Sequence, residues 1–377
     1  MADPLARIPH VGGILTAGQV AETAASIAAM QEPSGAVPWT IGEHTDIWNH
    51  VEAAMAMLVG GQVEAAERAY EWVPTLQRAD GSWPMKIVGG EVEDHRGEVN
   101  MSSYLAVGIW HHWLVRRDIA FVHRFWPAVR AGLDWVVSMQ LPFGGIAWSE
   151  EWEEGRPVRR DEGALLAGSS SIYQSLRAGV ALADLVDDPQ PEWELAGGRL
   201  GHAIREHRDL FLDKATYSMD WYYPVLGGAV RGDAAFALLE TRWDEFVVEG
   251  LGIHCVDTNP WVTGAETCEL AMALDALGDH QRALRLLADM QHMRGEDGKY
   301  WTGWVYGDDV HWPVEHTTYT AAAVILAVDA LGETHGHATE GSGIMRGTSL
   351  APHFTELALE CGCPSGDAVS GFSARAR

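Results

Sequence analysis

The sequence predicts an all-α protein, an (α/α)6 toroid of six inner and six outer helices. Three observations point there. Mostly apolar or Ala-rich helical stretches start near residues 46, 101, 169, 222, 264 and 316. Amphipathic stretches start near 17, 63, 118, 191, 234 and 279, so the two kinds alternate. A helix apolar all round is a buried one, and a helix with one polar face lies on the outside. Third, an internal repeat supports the register. Met30-Gln31, Leu76-Gln77, Met139-Gln140 and Met290-Gln291 each end an amphipathic stretch and are followed by Gly and then Trp39, Trp83, Trp148 or Trp301. Runs of β-branched residues are short, which argues against a large sheet.

Taken in order, residues 16–31 form the first helix and Glu32 to Thr45 the first long loop. Asp46 to Leu58 is the first inner helix, stopped by Gly60-Gly61. Val63 to Gln77 is outer; Ser102 to Val115, with Tyr104, Trp110, His111, His112 and Trp113, is inner. His111 and His112 cannot share a helical face, and a buried, hydrogen-bonded role is expected for them. Asp118 to Gln140 is outer, Ser169 to Val186 inner, and Glu192 to His207 outer. Tyr217 to Pro224 leads into a short inner helix ending near Arg231, and Ala234 to Val247 is outer. Trp261-Val-Thr-Gly-Ala-Glu266 opens the next inner helix, with Thr263 or Gly264 as cap and Glu266 in the first turn. Asp279 to Gln291 and His316 to Leu331 complete the set. Residues 1–350 are read as one domain. From about Gly336 the chain is Gly-, Ser- and His-rich with little pattern, and 351–377 is expected to be a poorly ordered tail.

Composition limits the partners. The net charge of −27 argues against nucleic acid and anionic membranes. No apolar run reaches membrane-spanning length. The N-terminus lacks a basic region followed by an apolar one, so no signal peptide is expected. Four cysteines in a chain of 377 residues do not make a secreted disulfide framework. A cytoplasmic, reduced protein is the expectation; the oligomeric state is left open. The 17 tryptophans exceed what a core needs and suit flat, polar-rimmed ligands such as sugars.

In a toroid the long outer-to-inner loops collect at one face, which is the default site. These loops hold Trp39 and Glu43, Trp148 with Glu150 and Glu151, Asp220 and Trp221, Trp261, and Trp301, Trp304 and Glu315. Glycoside hydrolysis needs two carboxyl groups on opposite sides of a sugar. Asp46 and Glu266, each at the start of an inner helix, are the preferred pair. Glu266 is expected as general acid and Asp46 as base through a water, with the reverse kept open. A separation of roughly 6.5–9.5 Å would fit inversion. Asp220, Glu150, Glu151 and Glu315 are rival carboxylates. Trp39, Trp48, Trp221, Tyr222, Trp261, Trp301 and Trp304 are expected as subsites. Glu43, Asn100, Tyr104, Trp148, Tyr173, Asp220 and His316 are further candidate contacts. Arg177, four residues after Tyr173, is a ligand contact or a buried ion-pair partner.

Two other chemistries suit the same face less well. Terpenoid cyclisation or prenyl transfer would use aromatic walls around a cation, but no Asp-x-Asp-Asp motif exists, and few basic residues could hold a diphosphate. Glu266, Cys268 and His316 resemble a zinc ligand set with one open position, yet Glu in place of Asp weakens it. No metal and no cofactor are expected. A non-catalytic glycan-binding toroid is the non-enzyme alternative.

Several stretches carry a resemblance: Asn100-Met-Ser-Ser-Tyr104 through Trp110-His-His-Trp113, Gly168 to Tyr173, Tyr217 to Gly228, Pro260 to Glu269, and Tyr300-Trp-Thr-Gly303. Over roughly residues 16–350 the chain resembles an actinobacterial family often labelled prenyltransferase or squalene-cyclase-like. Members of that family are similar to the hydrolase associated with methylmannose polysaccharide metabolism in mycobacteria. The resemblance implies an endo-acting α-mannosidase on a cytosolic, partly methylated α-(1→4)-mannan. On the matching positions it implies Asp46 and Glu266 as the catalytic carboxylates.

Overall fold

The computed structural model describes residues 8–332 and 338–354. The expectations for the N-terminal residues 1–7, for Cys361-Gly-Cys363 and for most of the tail lie outside the described residues.

The α-helices are α1 Ala17–Met30, α2 Ile47–Val59, α3 Val63–Trp72, α4 Val99–Ser103, α5 Leu105–Arg116, α6 Ile119–Ser138, α7 Leu166–Leu185, α8 Pro191–Glu206, α9 Ser218–Leu226, α10 Gly232–Glu240, α11 Trp243–Phe246, α12 Gly264–Ala276, α13 His280–Asp289 and α14 Thr318–Gly332. Helices α2, α5, α7, α9, α12 and α14 pack each on the next, and α14 returns to α2, so their contacts close a ring. Every residue of α2 and of α14 is buried, as helices without a polar face require. Around them α1 packs on α2 and α14, α3 on α2, α6 on α5 and α7, α8 on α7, α10 on α9, and α13 on α12 and α14.

The Gln–Gly repeat is a clamp between outer helices. The Nε2 of Gln31, Gln77 and Gln140 donates to the carbonyl four residues on, that of Gly35, Gly81 or Gly144, at 2.9–3.0 Å. The same nitrogen donates at 2.9 Å to Ala65, Ala128 or Ala196 on the next outer helix. These glycines have φ of +102°, +99° and +99°, and a Cβ on any of them would lie within 2.6 Å of a carbonyl oxygen of that next helix. Gly298 plays the same part toward α1, where the Thr23 hydroxyl donates to its carbonyl. Gln291 departs from the pattern: its Nε2 turns back to Leu287 O, and Tyr300 donates to its Oε1.

Helix starts agree with the sequence at Thr16, Asp46 and Asp118, whose side chains accept from the third residue on. Thr263 meets the expectation in position but not in hydrogen bonding. It stands at the cap position of α12, but its hydroxyl bonds no helix N–H and has no partner. His111 is buried, yet neither ring nitrogen has a hydrogen bond, contrary to expectation.

Several outer-to-inner loops are built of short strands. β1 Lys86–Val88 and β2 Glu91–Asp94 make a hairpin; β3 Gly97–Glu98, β4 Ser149–Glu153 and β5 Arg156–Arg160 form a second sheet. β6 Val247–Val248, β7 Gly252–His254, β8 Trp261–Thr263, β9 Gly303–Val305 and β10 Val310–His311 form a third, antiparallel and in the order β10-β9-β8-β7-β6.

The stretch after α14, patternless in sequence, makes defined contacts. Residues 338–354 have no helical or strand period, but they cross the far end of the ring. Ile344 and Met345 are buried there. Asp329 on α14 accepts from Thr339, Arg346 pairs with Asp275 at the end of α12 at 3.1 Å, Trp110 donates to Ser349 O, and Gln174 to Ile344 O.

Candidate active site

The near end of the ring is defined by the inner-helix N-termini, and carboxylates occupy them. Asp46 caps α2: its Oδ1 accepts from the Asn49 N–H at 2.9 Å and its Oδ2 from the Asn49 amide. His44 stands 3.7 Å from Oδ2. Asp46 is 1 % exposed, and this burial raises its proton affinity above the ordinary Asp range despite the Asn49 hydrogen bonds. Glu266, in the first turn of α12, is also buried. The Cys255 thiol lies near its carboxylate, and burial, then that negative neighbour, push the thiol pKa up.

A second set of acids lies with them. Glu98 caps α4, accepting from Met101 N–H at 2.5 Å; burial pushes its pKa up to about 8, with Asp46 adding to the shift. Glu52, two turns along α2 from its cap, accepts from Tyr104 OH at 2.8 Å. Burial, then the nearby Glu269, hold it well above the usual carboxylate range. Glu269 accepts three phenols: Tyr222, Tyr223 at 2.8 Å and Tyr319 at 2.8 Å. Burial first, then Glu266, raise it to about 7 in spite of those donors.

Glu52, Glu98 and Glu269 escaped sequence reading. Glu98 is one acid among several in a polar loop, Glu52 and Glu269 lie inside mostly apolar helices, and the tyrosines that mark these two come from elsewhere in the chain. The i,i+3 spacing of Glu266 and Glu269 was the available signal.

Aromatic residues surround this set. Trp39 stacks on His44 and approaches Tyr319 at 5.5 Å, and its Nε1 donates to Glu315 at 2.9 Å. Trp48 packs between Tyr104 and Tyr319. Trp301 lies between His311 and His316, at 4.5 and 3.8 Å between ring centres. Trp304 meets His311 edge-on, and Trp261 meets Trp312. Burial lowers the pKa of both His311 and His316, which favours uncharged rings stacked on the indole. Trp148 and Asn100 are half-buried at the β4 and α4 starts.

Several buried polar atoms at the helix starts lack a protein partner: Trp48 Nε1, Asn49 Oδ1, Asn100 Oδ1, Ser218 Oγ and Thr263 Oγ1. Such atoms are costly unless something bonds them, and a polyhydroxylated ligand carries matching donors and acceptors.

Other expected contacts are placed elsewhere. Trp221 stacks on Phe246 and donates to Leu238 O, facing the outer helices. Asp220 accepts from Ala167 N–H at the start of α7; burial raises its pKa to about 6. Asp220 and Trp221 line a separate cavity of about 440 Å³ with Arg208 and Phe211. Tyr173 faces His353, Phe354 and Gly201. Tyr104 and Tyr222 spend their hydroxyls on Glu52 and Glu269. Glu43 is exposed on its loop. Of the rival acids, Glu150 lies 3.9 Å from Arg160, Glu151 pairs with Arg159, and Glu315 holds Trp39. Cys268 is fully buried, with its thiol pKa raised by burial. Among the described residues no group of His, Cys, Asp and Glu has metal-site geometry, and no helix is long and apolar enough to cross a membrane.

No protein-family model matches the chain. It is 53 % identical over 367 residues to the MMP endo-(1,4)-3-O-methyl-α-D-mannosidase of Mycolicibacterium hassiacum, covering 97 % of this chain and 99 % of that protein. Its fold is similar to that of a solved glycosidase, with a TM-score of 0.66 at 16 % identity, covering 85 % of this chain and 97 % of the other. A family GH63 mannosylglycerate hydrolase from Thermus thermophilus gives 0.61 at 13 % identity, covering 84 % and 99 %. These relatives are hydrolases by name, and nothing among them supports the prenyltransferase label. The chain belongs to the family of the Mycolicibacterium hassiacum endo-mannosidase, and it is a glycoside hydrolase.

Proposed function

We propose that the protein is an endo-acting hydrolase of an α-(1→4)-linked, 3-O-methylated mannan, and that the ring and its outer helices are an (α/α)6 toroid. The identity of 53 % across nearly the whole of both chains carries the substrate reading. The alternation of inner and outer helices supports the architecture. An aromatic-walled cleft suits such a glycan, because O-methyl groups add apolar surface.

The catalytic pair in this reading is Asp46 and Glu266. The burial of Asp46 favours the reverse of the roles expected from the sequence. A carboxyl group whose proton affinity is raised is the one that still holds a proton to give to the glycosidic oxygen. Glu266, at the N-terminus of α12 where the helix dipole favours negative charge, then takes a proton from the attacking water. Bond cleavage and water attack on opposite faces give inversion at the anomeric carbon. Trp39, Trp261, Trp301 and Trp304 serve as sugar platforms, with Trp48 beneath.

Incubation with α-(1→4)-mannan oligosaccharides, methylated and unmethylated, tests the reading. Shorter oligosaccharides are expected, with the β-anomer appearing first by NMR. Release of monosaccharide from one end only would exclude endo action, and an initial α-anomer would exclude inversion.

A further inference from the structure

Far from the carboxylates, two arginines converge with no counter-charge among the described residues. Arg177 on α7 is 2 % exposed. Its Nε donates to Ala351 O at 2.8 Å and one Nη to Gly347 O at 3.3 Å. Arg231, just after α9, donates to Val225 O. Each keeps one buried guanidinium nitrogen without a partner, Nη1 of Arg177 and Nη2 of Arg231.

Both nitrogens meet at one place. A Cβ on Gly228 would lie 2.9 Å from Arg231 Nη2 and 3.3 Å from Arg177 Nη1; one on Gly347 would lie 2.8 and 3.5 Å from the same atoms. Both glycines have positive φ, +90° and +69°, so side-chain-free backbone flanks the two cations. Among the described residues the groups that act electrostatically on them are each other, Tyr173 and His353, with no carboxylate.

Arg231 also lines a surface cavity of about 370 Å³ together with Arg205, Arg208 and Thr241; Glu206 is the acid on its wall. Three arginines around one cavity are notable in a chain with 26 basic and 53 acidic residues. Burying two like charges without a partner is costly. A guanidinium's planar fork matches an oxyanion. A tetrahedral, doubly charged anion offers an acceptor to each free N–H and charge to offset both cations.

We propose that Arg177 and Arg231 form a phosphate-binding site, beside the cavity whose wall Arg231 shares with Arg205 and Arg208, for free phosphate or the phosphate group of a small monoester. The site is remote from Asp46 and Glu266 and stands apart from the hydrolase reading.

The test uses the full chain, exchanged into phosphate-free buffer, with calorimetric titration and thermal melts at matched ionic strength. One arm adds inorganic phosphate, the other a hexose monophosphate. Saturable binding and a rise in Tm with phosphate are expected, with at least tenfold weaker binding in Arg231→Gln. Binding of the hexose monophosphate in competition with phosphate identifies a monoester site. Phosphate binding alone identifies a free-ion site. Arg208→Gln, at the half-buried cavity wall, serves where Arg231→Gln does not fold; it is expected to weaken the monoester arm, or phosphate where only phosphate binds. The absence of saturable binding of either ligand to the wild type overturns the proposal, as does unchanged affinity in a folded Arg231→Gln variant.

Discussion

At Asp46 the side chain that caps α2 is also the proposed proton donor. Asparagine keeps an oxygen that accepts from Asn49 N–H, so Asp46→Asn is expected to retain helix α2 and lose the proton donor. Steady-state kinetics on a mannan oligosaccharide should show kcat lower by about 10²–10⁴, the usual scale for one acid or base, with Tm nearly unchanged. Glu266→Gln should lose a similar factor. Full activity in either variant would remove that residue from the mechanism.

Glu269 makes a prediction about stability. Its folded-state pKa of about 7 exceeds the ordinary 4.5, so the folded protein binds the extra proton between these values. Its contribution is therefore complete below about pH 4.5 and is lost as pH rises through about 7. Glu269→Gln should flatten the fall in unfolding free energy over this window by at most about 3 kcal/mol. Urea unfolding of both proteins from pH 5 to 8 checks it; parallel profiles would show that Glu269 stays ionised throughout.

At the scale of elements, the Gln–Gly clamp is the most legible feature of the sequence, where it shows as a bare repeat. Its meaning needs the neighbouring helix: Gln77 bonds Ala128, 51 positions away. Gln77→Ala should cost about 2 kcal/mol in chemical denaturation, for two hydrogen bonds of about 1 kcal/mol each. Gly81→Ala should cost more, since its Cβ would lie 2.0 Å from Ala131 O at φ +99°. A cost for Gly81→Ala within ±0.5 kcal/mol would show that the helix yields there. Caps such as Asp46 and stops such as Gly60-Gly61 were legible because their signals are local. The strands were not. β3 and β10 are two residues long, too short for a period of two to be visible, and Trp261 pairs with Val305 only because two inner-helix loops meet.

At the scale of the whole molecule, the ring has two ends with different physics. At one end, helix N-termini gather buried acids among aromatic rings. The other is closed by residues 338–354, which in the sequence are a patternless stretch running into the expected tail. An irregular segment has no period to detect, and its order comes from partners scattered over the ring: Asp329, Asp275, Trp110 and Gln174. Ile344, with no exposed surface, is its apolar anchor. Ile344→Ala removes that side chain from a site whose walls are held by helices, so collapse is limited and the cost should reach about 2–5 kcal/mol. The proposed active site lies at the opposite end, so kcat per folded molecule should not change at temperatures where the variant is fully folded. Equilibrium urea unfolding combined with kinetics separates the two quantities. A loss of kcat without a loss of stability would mean that the closing segment communicates with the carboxylates through the ring, and a variant as stable as the wild type would mean that 338–354 does not hold the ring closed.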